Sequence, residues 1–310
     1  MVDIKQYIHN FGLKIFVTKV IRSRFYNNYS KFGIELSKVN EKNIKEFLQK
    51  NIVNNLKEYE DNTSLFRNNN VSKNKVIWTM WWQGMESAPK IVKACINNLI
   101  SKNDARVIII TKDNYDHYVH LDKKIINMFK LGKISITHFS DIIRTNLLYL
   151  YGGTWIDSTV WITKKIEDSV FCKDFYTIKT GKYTNDPSHG RWTTFFMETK
   201  AGNETINFVR QCFNTYCSKY DMFIDYILFD YFIALACQNN IIINNQISKI
   251  EINNTQVFKL QTKLNETYDV SFFDNSTYLY KLTYKKNFFE KSKNGKRTFY
   301  SMVIKENYEE

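Results

Sequence analysis

Hydrophobic residues occur along the chain in short runs separated by longer amphipathic stretches, a pattern typical of α/β proteins. Apolar runs at 75–80 and 107–111 predict buried strands, and Pro89 between them predicts the start of a helix. A strand, a helix and a second strand in this order predict a parallel sheet with right-handed crossovers. The pattern predicts further strands at 154–163, 175–179 and 192–198, and a further helix at 204–218.

The first 70 residues carry no comparable apolar run. Helices are predicted within 1–34 and at about 39–59, followed by a polar loop through Asn68–Asn70. We therefore expect a helical N-terminal region, residues 1–70, followed by an α/β domain, residues 71–310.

The segment 138–161 combines a helix start, a helix end and a strand that leads to an acid. Ser140 followed by Asp141 predicts a helix N-terminus, because a side-chain oxygen accepts the free amide protons there and an acid is favoured at the positive end of the helix. Gly152 and Gly153 predict the helix end. The β-branched and aromatic residues after them predict a strand that ends or bends at Asp157.

Asp141, Arg144 and Asp157 are the central candidates for function. An acid and a base near a helix start, with a second acid after a neighbouring strand, suit an anionic ligand bridged by a cation. On the pattern alone, a surface ion pair and a strand-end turn residue explain the three equally well.

The pattern Ser-Asp-x-x-Arg-x-x-x-Leu-x-x-x-Gly-Gly-x-x-x-Asp in this segment resembles the sugar-donor signature of glycosyltransferase family 32, which includes bacterial capsular polysaccharide glycosyltransferases. The resemblance implies a GT-A (Rossmann-like) fold, a mostly parallel sheet flanked by helices, here with an N-terminal helical appendage. It also implies a retaining hexosyltransferase. The implied donor is a nucleotide-diphosphate sugar, with a UDP-sugar expected, and the implied acceptor is a saccharide of a capsular or other surface polysaccharide.

The resemblance assigns the catalytic roles to Asp157, Arg144 and Asp230. In the family, an Asp-x-Asp motif holds Mn²⁺ or Mg²⁺ together with the nucleotide diphosphate. Thr159 stands where the second acid of that motif is expected. Asp157 is therefore the expected metal ligand, directly or through water, for a divalent cation shared with the diphosphate.

The resemblance also suggests residues that bind the donor. Aromatic and loop residues after the first strand would cover the base, although the tryptophans there would equally well fill the core. Asp141 would bind sugar hydroxyls and Arg144 the diphosphate or sugar. A Lys-Leu-x-Tyr-Lys segment like that of family members would neutralise the diphosphate through Lys281 or Lys285. The full donor set is Trp78, Trp82, Gln83, Gly84, Asp141, Arg144, Asp157, Thr159, Lys281 and Lys285.

The resemblance also implies acceptor contacts after the central segment, where the loop-like tract 181–192 would close over substrate. Two acids in the apolar segment 223–235 lie five residues apart, which places them about 140° apart on a helix. We expect the second of them to face the sugar or acceptor, while the first has a helix cap as an alternative role. The acceptor-side set is His189, Arg191, Glu198, Asp225 and Asp230.

The net charge of +13 suits a nucleic acid, an anionic membrane or a phosphorylated substrate. Residues 1–34 carry six lysines and arginines against one acid, and their apolar positions would suit a bilayer interface; a helix packed on the domain is an equal alternative. The chain has no cleavable signal pattern and no apolar run of about 18 residues. We expect a cytoplasmic protein, peripheral at the inner face of the cell membrane, with a lipid-linked acceptor.

Other classes of protein fit the sequence less well. Five cysteines, an odd number without zinc-ligand spacing, argue against a disulfide framework or a zinc site. No recognition-helix, RNP-type or zinc-finger signature supports a basic nucleic-acid-binding protein, so no nucleic-acid partner is expected. No acid pair indicates a glycosidase. A non-catalytic relative that binds nucleotide sugars is the remaining alternative, because Thr159 replaces an acid.

Overall fold

The computed structural model describes residues 3–25, 29–56, 75–274 and 277–305. The α-helices, numbered α1 to α11 in chain order, are Ile4–Phe11, Leu13–Phe25, Lys31–Asn51, Lys90–Lys102, Lys123–Lys130, Ile136–Tyr151, Glu204–Lys219, Leu228–Asn239, Ile241–Ser248, Lys259–Lys263 and Phe299–Lys305. The strands, β1 to β7, are Val76–Met80, Arg106–Ile110, Gly153–Ile156, Val160–Ile162, Phe175–Thr177, Phe196–Thr199 and Leu279–Lys281.

Five strands of the described residues form a central sheet in the order β2-β1-β3-β6-β5. β1 pairs in parallel with both β2 and β3, whereas β6 pairs antiparallel with both β3 and β5. Four of these strands therefore run in one direction and β6 runs against them. Helices α4 and α6 pack against the sheet strands. The α/β class predicted from the sequence is thus confirmed, and the sheet is mixed, with two parallel and two antiparallel strand pairs.

β4 is not a continuation of β3, so the prediction of one strand through 154–163 was wrong. The chain turns after β3, where the amide of Val160 donates to the carbonyl of Asp157 at 2.9 Å. β4 then pairs antiparallel with β7 in a second, two-stranded sheet. This pairing places Lys281 opposite Val160 and brings a distant segment back to the residues that follow β3.

Helix α6 begins about one turn earlier than predicted. Its N-cap is Ser135, whose Oγ accepts a hydrogen bond from the amide of His138 at 3.2 Å. The added turn is stabilised by burial of Phe139 in the core. The predicted helix start at Ser140 was therefore wrong, and Asp141 lies in the second turn, away from the free amides.

The end of α6 was predicted correctly. Gly152 and Gly153 have φ angles of 68° and 88°, in the left-handed region that favours glycine. The amide of Gly152 donates to the carbonyl of Leu148 at 3.0 Å. A Cβ at Gly153 would lie 2.7 Å from the carbonyl oxygen of Val76, so β3 can pair closely with β1 only because this position is a glycine.

Helices α1 and α2 pack one face against the rest of the protein. Tyr7, Phe11 and Ile15 are buried in the main core, and the Tyr7 hydroxyl donates to the carbonyl of Ile224 at 2.7 Å. Ile4 and Ile21, two apolar residues of the predicted membrane arm, remain 55% and 40% exposed. The arm is thus a helical pair packed on the domain that still carries apolar side chains on its outer face.

Helix α3 spans Lys31–Asn51, so the helix predicted at 39–59 begins earlier and ends earlier than expected. The loop predicted at Asn68–Asn70 lies outside the described residues. The division into regions 1–70 and 71–310 stays a prediction. Among the described helices, none combines the length and the apolar character needed to cross a membrane.

Candidate active site

A cavity of about 770 Å³ opens at the carboxyl ends of β1 and β3. These strands are parallel and pair Trp78 with Trp155, so the residues that follow them, 81–83 and 157–159, lie at one edge of the sheet. Helix α6, the start of α8 and the segment 281–286 complete the walls. Ligands of α/β sheets bind at this kind of edge.

Arg144 lies in the cavity wall at the centre of a charged network. Its Nη2 donates to the carboxylate of Asp141 and its Nη1 to the carbonyl of Thr194. Nη1 also lies 3.8 Å from Oδ1 of Asp157, and the guanidinium sits 4.5 Å from the ring centroid of Phe229. Its Nε is buried and has no hydrogen-bond partner among the described residues. Asp141, Arg144 and Asp157 therefore share one cavity, as the sequence predicted.

Asp157 is held between two cations. The ammonium of Lys281 lies 2.6 Å from Oδ2 and also donates to the hydroxyl of Thr159 at 2.8 Å. The indole of Trp155 donates to Oδ1 at 2.9 Å. Burial alone would raise the pKa of Asp157, but Lys281 and Arg144 outweigh it and hold the pKa below its ordinary value. Asp157 is therefore an anion at neutral pH.

Asp141 and Asp230 behave differently from Asp157. Burial raises the pKa of Asp141 to about 7, although the Arg144 guanidinium beside it opposes the shift. Burial also raises the pKa of Asp230 to about 7, and the carboxylate of Asp186 adds to the shift. Asp230 accepts a hydrogen bond from the indole of Trp192 at 2.9 Å. Both groups exchange protons near neutral pH, which suits hydrogen bonding with hydroxyl groups.

Comparison with known proteins identifies the family of this chain. A family model described as "Capsular polysaccharide synthesis protein" matches residues 24–303. The chain belongs to this family. The resemblance to capsular polysaccharide synthesis proteins predicted from the segment 138–161 is thereby confirmed.

This chain is also similar to parts of two proteins named as glycosyltransferases. It is 29% identical over 108 residues to the O-glycosyltransferase braB of Annulohypoxylon truncatum, which covers 32% of this chain and 26% of that protein. It is 23% identical over 161 residues to the glycosyltransferase afumC of Aspergillus fumigatus, which covers 46% of this chain and 41% of that protein. The chain thus spans less than half the length of either relative.

A solved structure, the PaToxG glycosyltransferase, aligns with a TM-score of 0.38 and 14% sequence identity. The alignment covers 67% of this chain and 89% of that one.

The donor-side predictions fall into two groups. The cavity is lined by most of the predicted donor residues: Trp82, Gln83, Thr159, Lys281 and Lys285, together with Asp141, Arg144 and Asp157. Trp78 does not line the cavity, because it is fully buried beneath the sheet edge and its indole donates to the carbonyl of Gly152 at 2.9 Å. Gly84 lies just outside the lining and has a φ of 84°.

Of the residues predicted for the acceptor side, only Asp230 lines the cavity; the other four lie outside it. Glu198 is buried within the sheet, where it accepts a hydrogen bond from Thr154. Asp225 precedes α8, because this helix starts only at Leu228. The carboxylate of Asp225 lies 3.7 Å from the ammonium of Lys19.

His189 and Arg191 are also outside this cavity. His189 Nε2 lies 3.1 Å from Glu41 of α3, in a separate depression, and Arg191 bonds to the carbonyls of Pro187 and Ser188. The tract 181–192 therefore folds back on itself and against the N-terminal helices, and its end at Trp192 donates a hydrogen bond to Asp230.

Sequence reasoning missed Trp81 and Tyr284. Both line the cavity, their rings are 5.3 Å apart in a T-shaped contact, and the indole nitrogen of Trp81 has no hydrogen-bond partner among the described residues. Trp81 is the first residue after β1, which is the signal that would have selected it over Trp78. Lys286, also in the lining, was missed because the family pattern ends one residue earlier.

The residues around Asp157 do not fit a divalent cation held by protein carboxylates. Such a cation takes oxygen ligands, and Mg²⁺ is usually bound by one or two carboxylates together with substrate phosphates. Here the second position is Thr159, and an ammonium already occupies the space between Thr159 and Asp157. Within the described part of the chain, no three His, Cys, Asp or Glu side chains cluster closely enough to hold a metal ion.

Proposed function

We propose that this protein is a GT-A glycosyltransferase that transfers a hexose from a nucleotide-diphosphate sugar, with a UDP-sugar as the expected donor, to a saccharide acceptor in the synthesis of a capsule or another surface polysaccharide. The observation that carries the proposal is the convergence of Asp141, Arg144 and Asp157 in one cavity at the carboxyl edge of β1 and β3. Membership in the capsular polysaccharide synthesis family supports the same activity.

The cavity suits a nucleotide sugar in size and chemistry. Its volume of about 770 Å³ lies within the range typical of small-molecule sites. Aromatic rings of Trp81 and Trp82 beside β1 offer faces on which a base can stack. The unpaired Nε of Arg144 and the lysines of segment 281–286 offer donors for phosphate oxygens.

We assign separate tasks to the charged groups. Arg144 and Lys281 bind the diphosphate, and Asp141 accepts or donates hydrogen bonds to hydroxyls of the donor sugar. Asp230, on the wall formed by α8, binds the acceptor hydroxyl. Proton exchange near pH 7 allows Asp230 to accept that hydrogen bond or donate one.

We infer retention of anomeric configuration from the family 32 resemblance. The bond between the anomeric carbon and the diphosphate breaks, and a bond from the same face to the acceptor oxygen forms. The acceptor proton passes to the departing diphosphate oxygen, so no protein nucleophile is required. The protein contributes position and charge compensation, which are the main sources of catalysis in transfer from a phosphate leaving group.

The proposed acceptor is lipid-linked, and the proposed location is the inner face of the cell membrane. Helix α2 presents Leu13, Val17 and Ile21 on its outer face, 61%, 42% and 40% exposed. Basic residues Lys14 and Arg24 flank them on the same helix. An apolar stripe bordered by basic residues favours an anionic bilayer surface.

Vesicle flotation tests the membrane part of this proposal. Replacing Leu13 and Val17 together by Ser should remove most of the protein bound to vesicles of anionic phospholipid, because the apolar contact with the bilayer is lost. Leu131→Ser, which changes a leucine that is even more exposed than Leu13, is the control. Equal binding of the double variant and the wild type would contradict membrane contact through α2.

A donor screen tests the activity itself. The full chain is incubated with UDP- and GDP-hexoses and with a lipid-linked oligosaccharide, and release of the nucleotide and the anomeric configuration of the product are measured by NMR. We expect one donor to be hydrolysed or transferred with retention. Binding of a nucleotide sugar without hydrolysis or transfer would instead favour the non-catalytic alternative.

A further inference from the structure

We propose that Lys281 supplies the positive charge that a divalent cation would otherwise supply, so that this protein binds the diphosphate of a nucleotide without a metal ion. The inference rests on the proposed function and names the group that compensates the leaving diphosphate. In this proposal, Lys281 replaces the divalent cation that the sequence predicted at Asp157.

The fold delivers Lys281 to this position through its backbone. β7 pairs with β4 so that Lys281 is opposite Val160, and the amide of the next residue, Leu282, donates to the carbonyl of Thr159 at 2.8 Å. On its other side, the amide of Lys281 donates to the carbonyl of Val257 at 2.8 Å. Backbone hydrogen bonds on both sides of the strand, to β4 and to Val257, fix where the side chain of Lys281 starts. The fold therefore fixes the position of Lys281 beside Asp157.

The side chain of Lys281 bridges the two positions that an Asp-x-Asp motif would use. Its Nζ lies 2.6 Å from Oδ2 of Asp157 and 2.8 Å from Oγ1 of Thr159, and the side chain is only 18% exposed. An ammonium has three donors. Two of them are used by these contacts within the described residues, which leaves one for a phosphate oxygen.

Both oxygens of Asp157 are already satisfied. Oδ2 accepts from Lys281, while Oδ1 accepts from the indole of Trp155 at 2.9 Å and lies 3.8 Å from Nη1 of Arg144. A divalent cation at Asp157 would have to displace the ammonium or lie beside it, and the second arrangement would place two like charges side by side in a partly buried site. Because Thr159 offers a neutral hydroxyl, a metal would gain no second carboxylate in exchange.

The positive charge available without a metal is sufficient for a diphosphate. Lys281 and Arg144 flank Asp157, and Lys285 and Lys286 line the same cavity at its exposed rim. Asp157 and the ionised form of Asp141 compensate part of this charge, and the remainder faces the ligand. Lysine binds phosphate as a point charge, and arginine adds a planar pair of donors. Asp157 then acts as the residue that positions Lys281.

Nucleotide binding in the absence of metal is the direct test. The full chain, treated with EDTA, is titrated with UDP and with GDP while tryptophan fluorescence is followed, and the titration is repeated with Mn²⁺. We expect dissociation constants that agree within about threefold between the two conditions for the preferred nucleotide. Lys281→Met should weaken binding by about 10- to 100-fold, the range expected for loss of one hydrogen bond to a charged group.

Variants of matched chemistry separate charge from fold. Lys281→Arg keeps the charge and should bind the nucleotide more tightly than Lys281→Met. Lys293→Met changes an exposed lysine of the same basic segment that does not line the cavity, and it should bind like the wild type. Circular dichroism melting of each variant reports whether the fold is retained. Mn²⁺ binding is followed independently by the electron paramagnetic resonance signal of the free ion.

The outcomes distinguish this inference from the proposed function. Nucleotide binding that occurs only with Mn²⁺, or uptake of Mn²⁺ that is lost in Asp157→Asn, overturns the inference and leaves the glycosyltransferase proposal standing. Metal-free nucleotide binding that depends on Lys281, without hydrolysis or transfer of any sugar, supports the inference and overturns the transferase activity. Failure to bind either nucleotide under both conditions overturns both.

Discussion

The two sides of the cavity carry the same acidic residue type in opposite electrostatic settings. On the β3 and β7 side, Asp157 lies between Arg144 and Lys281, and its pKa is held below the ordinary value. On the α8 side, Asp230 accepts a hydrogen bond from Trp192 and has no ion-pair partner among the described residues, and burial raises its pKa to about 7.

This contrast shows how one cavity can bind chemically different groups. The side with excess cations suits a charged diphosphate, since its fixed charges are already arranged for an anion. The α8 side holds a carboxyl group that has no ion-pair partner among the described residues and is readily protonated, which suits neutral hydroxyl groups. Asp141 stands between the two, with Arg144 beside it and a pKa of about 7.

The largest expected effect comes from removing the charge of Asp157. Asp157→Asn should lower the transfer rate by about 10³-fold or more, because Lys281 and Arg144 lose the anion that positions them. Steady-state transfer with saturating donor measures the loss. The exposed Asp174→Asn is the matched control and should retain the wild-type rate. Wild-type turnover in Asp157→Asn would remove Asp157 from the mechanism.

A somewhat smaller effect is expected for Arg144→Lys. The substitution keeps the charge but loses the planar group that contacts Asp141, Thr194 and the ring of Phe229 at once. We expect kcat/KM for the donor to fall by about 10²-fold, the order found when one preorganised donor is removed. The exposed Arg106→Lys controls for the exchange itself. A variant with unchanged kcat/KM would show that Arg144 serves packing alone.

Local sequence signals predicted the cation-rich side only in part. The run of apolar residues in β1, the glycines after α6 and the acid at the end of β3 are each specified by neighbours in the chain, and these predictions were correct. Lys281 was selected through family resemblance, but its contact with Asp157 depends on pairing between β4 and β7. That contact joins residues 124 positions apart, and no local pattern specifies it.

The errors have equally specific causes. Ser140 has the chemistry of an N-cap, but Ser135 also has it and lies where burial of Phe139 extends the helix. The strand predicted through 154–163 failed because residues of high β propensity flank a turn. Polar residues such as Glu198 were placed on the acceptor side because sequence does not reveal which face of the sheet a side chain occupies when both faces are covered.

Asp230→Asn tests the contrast between Asp157 and Asp230 through the pH dependence of the free energy of unfolding. The folded-state pKa of about 7 lies above the ordinary value of 3.8, so folding favours the protonated acid and the free energy of unfolding falls as pH rises from about 4 to 7. An amide cannot ionise and can still accept the Trp192 hydrogen bond. We expect the variant to lose this decline, by up to about 1.4 kcal/mol per pH unit.

Urea denaturation of the wild type and Asp230→Asn at pH 4 to 8 measures that decline. Asp174→Asn, exposed and outside the cavity, should follow the wild-type curve. Parallel curves for Asp230→Asn and the wild type would mean that Asp230 is as easily ionised as an exposed acid. The two sides of the cavity would then be electrostatically alike.

The smallest effect is expected for Glu198→Gln, which tests whether a raised pKa alone marks a functional group. Burial raises the pKa of Glu198 to about 8, yet the residue lies within the sheet opposite Thr154 and does not line the cavity. We expect kcat/KM to stay within about twofold of the wild type. The amide avoids the cost of ionisation, so the melting temperature should rise relative to the wild type between pH 6 and 8.5. A large loss of rate at an unchanged melting temperature would show that Glu198 contributes to the reaction. The acceptor side would then include a residue of β6 as well as α8.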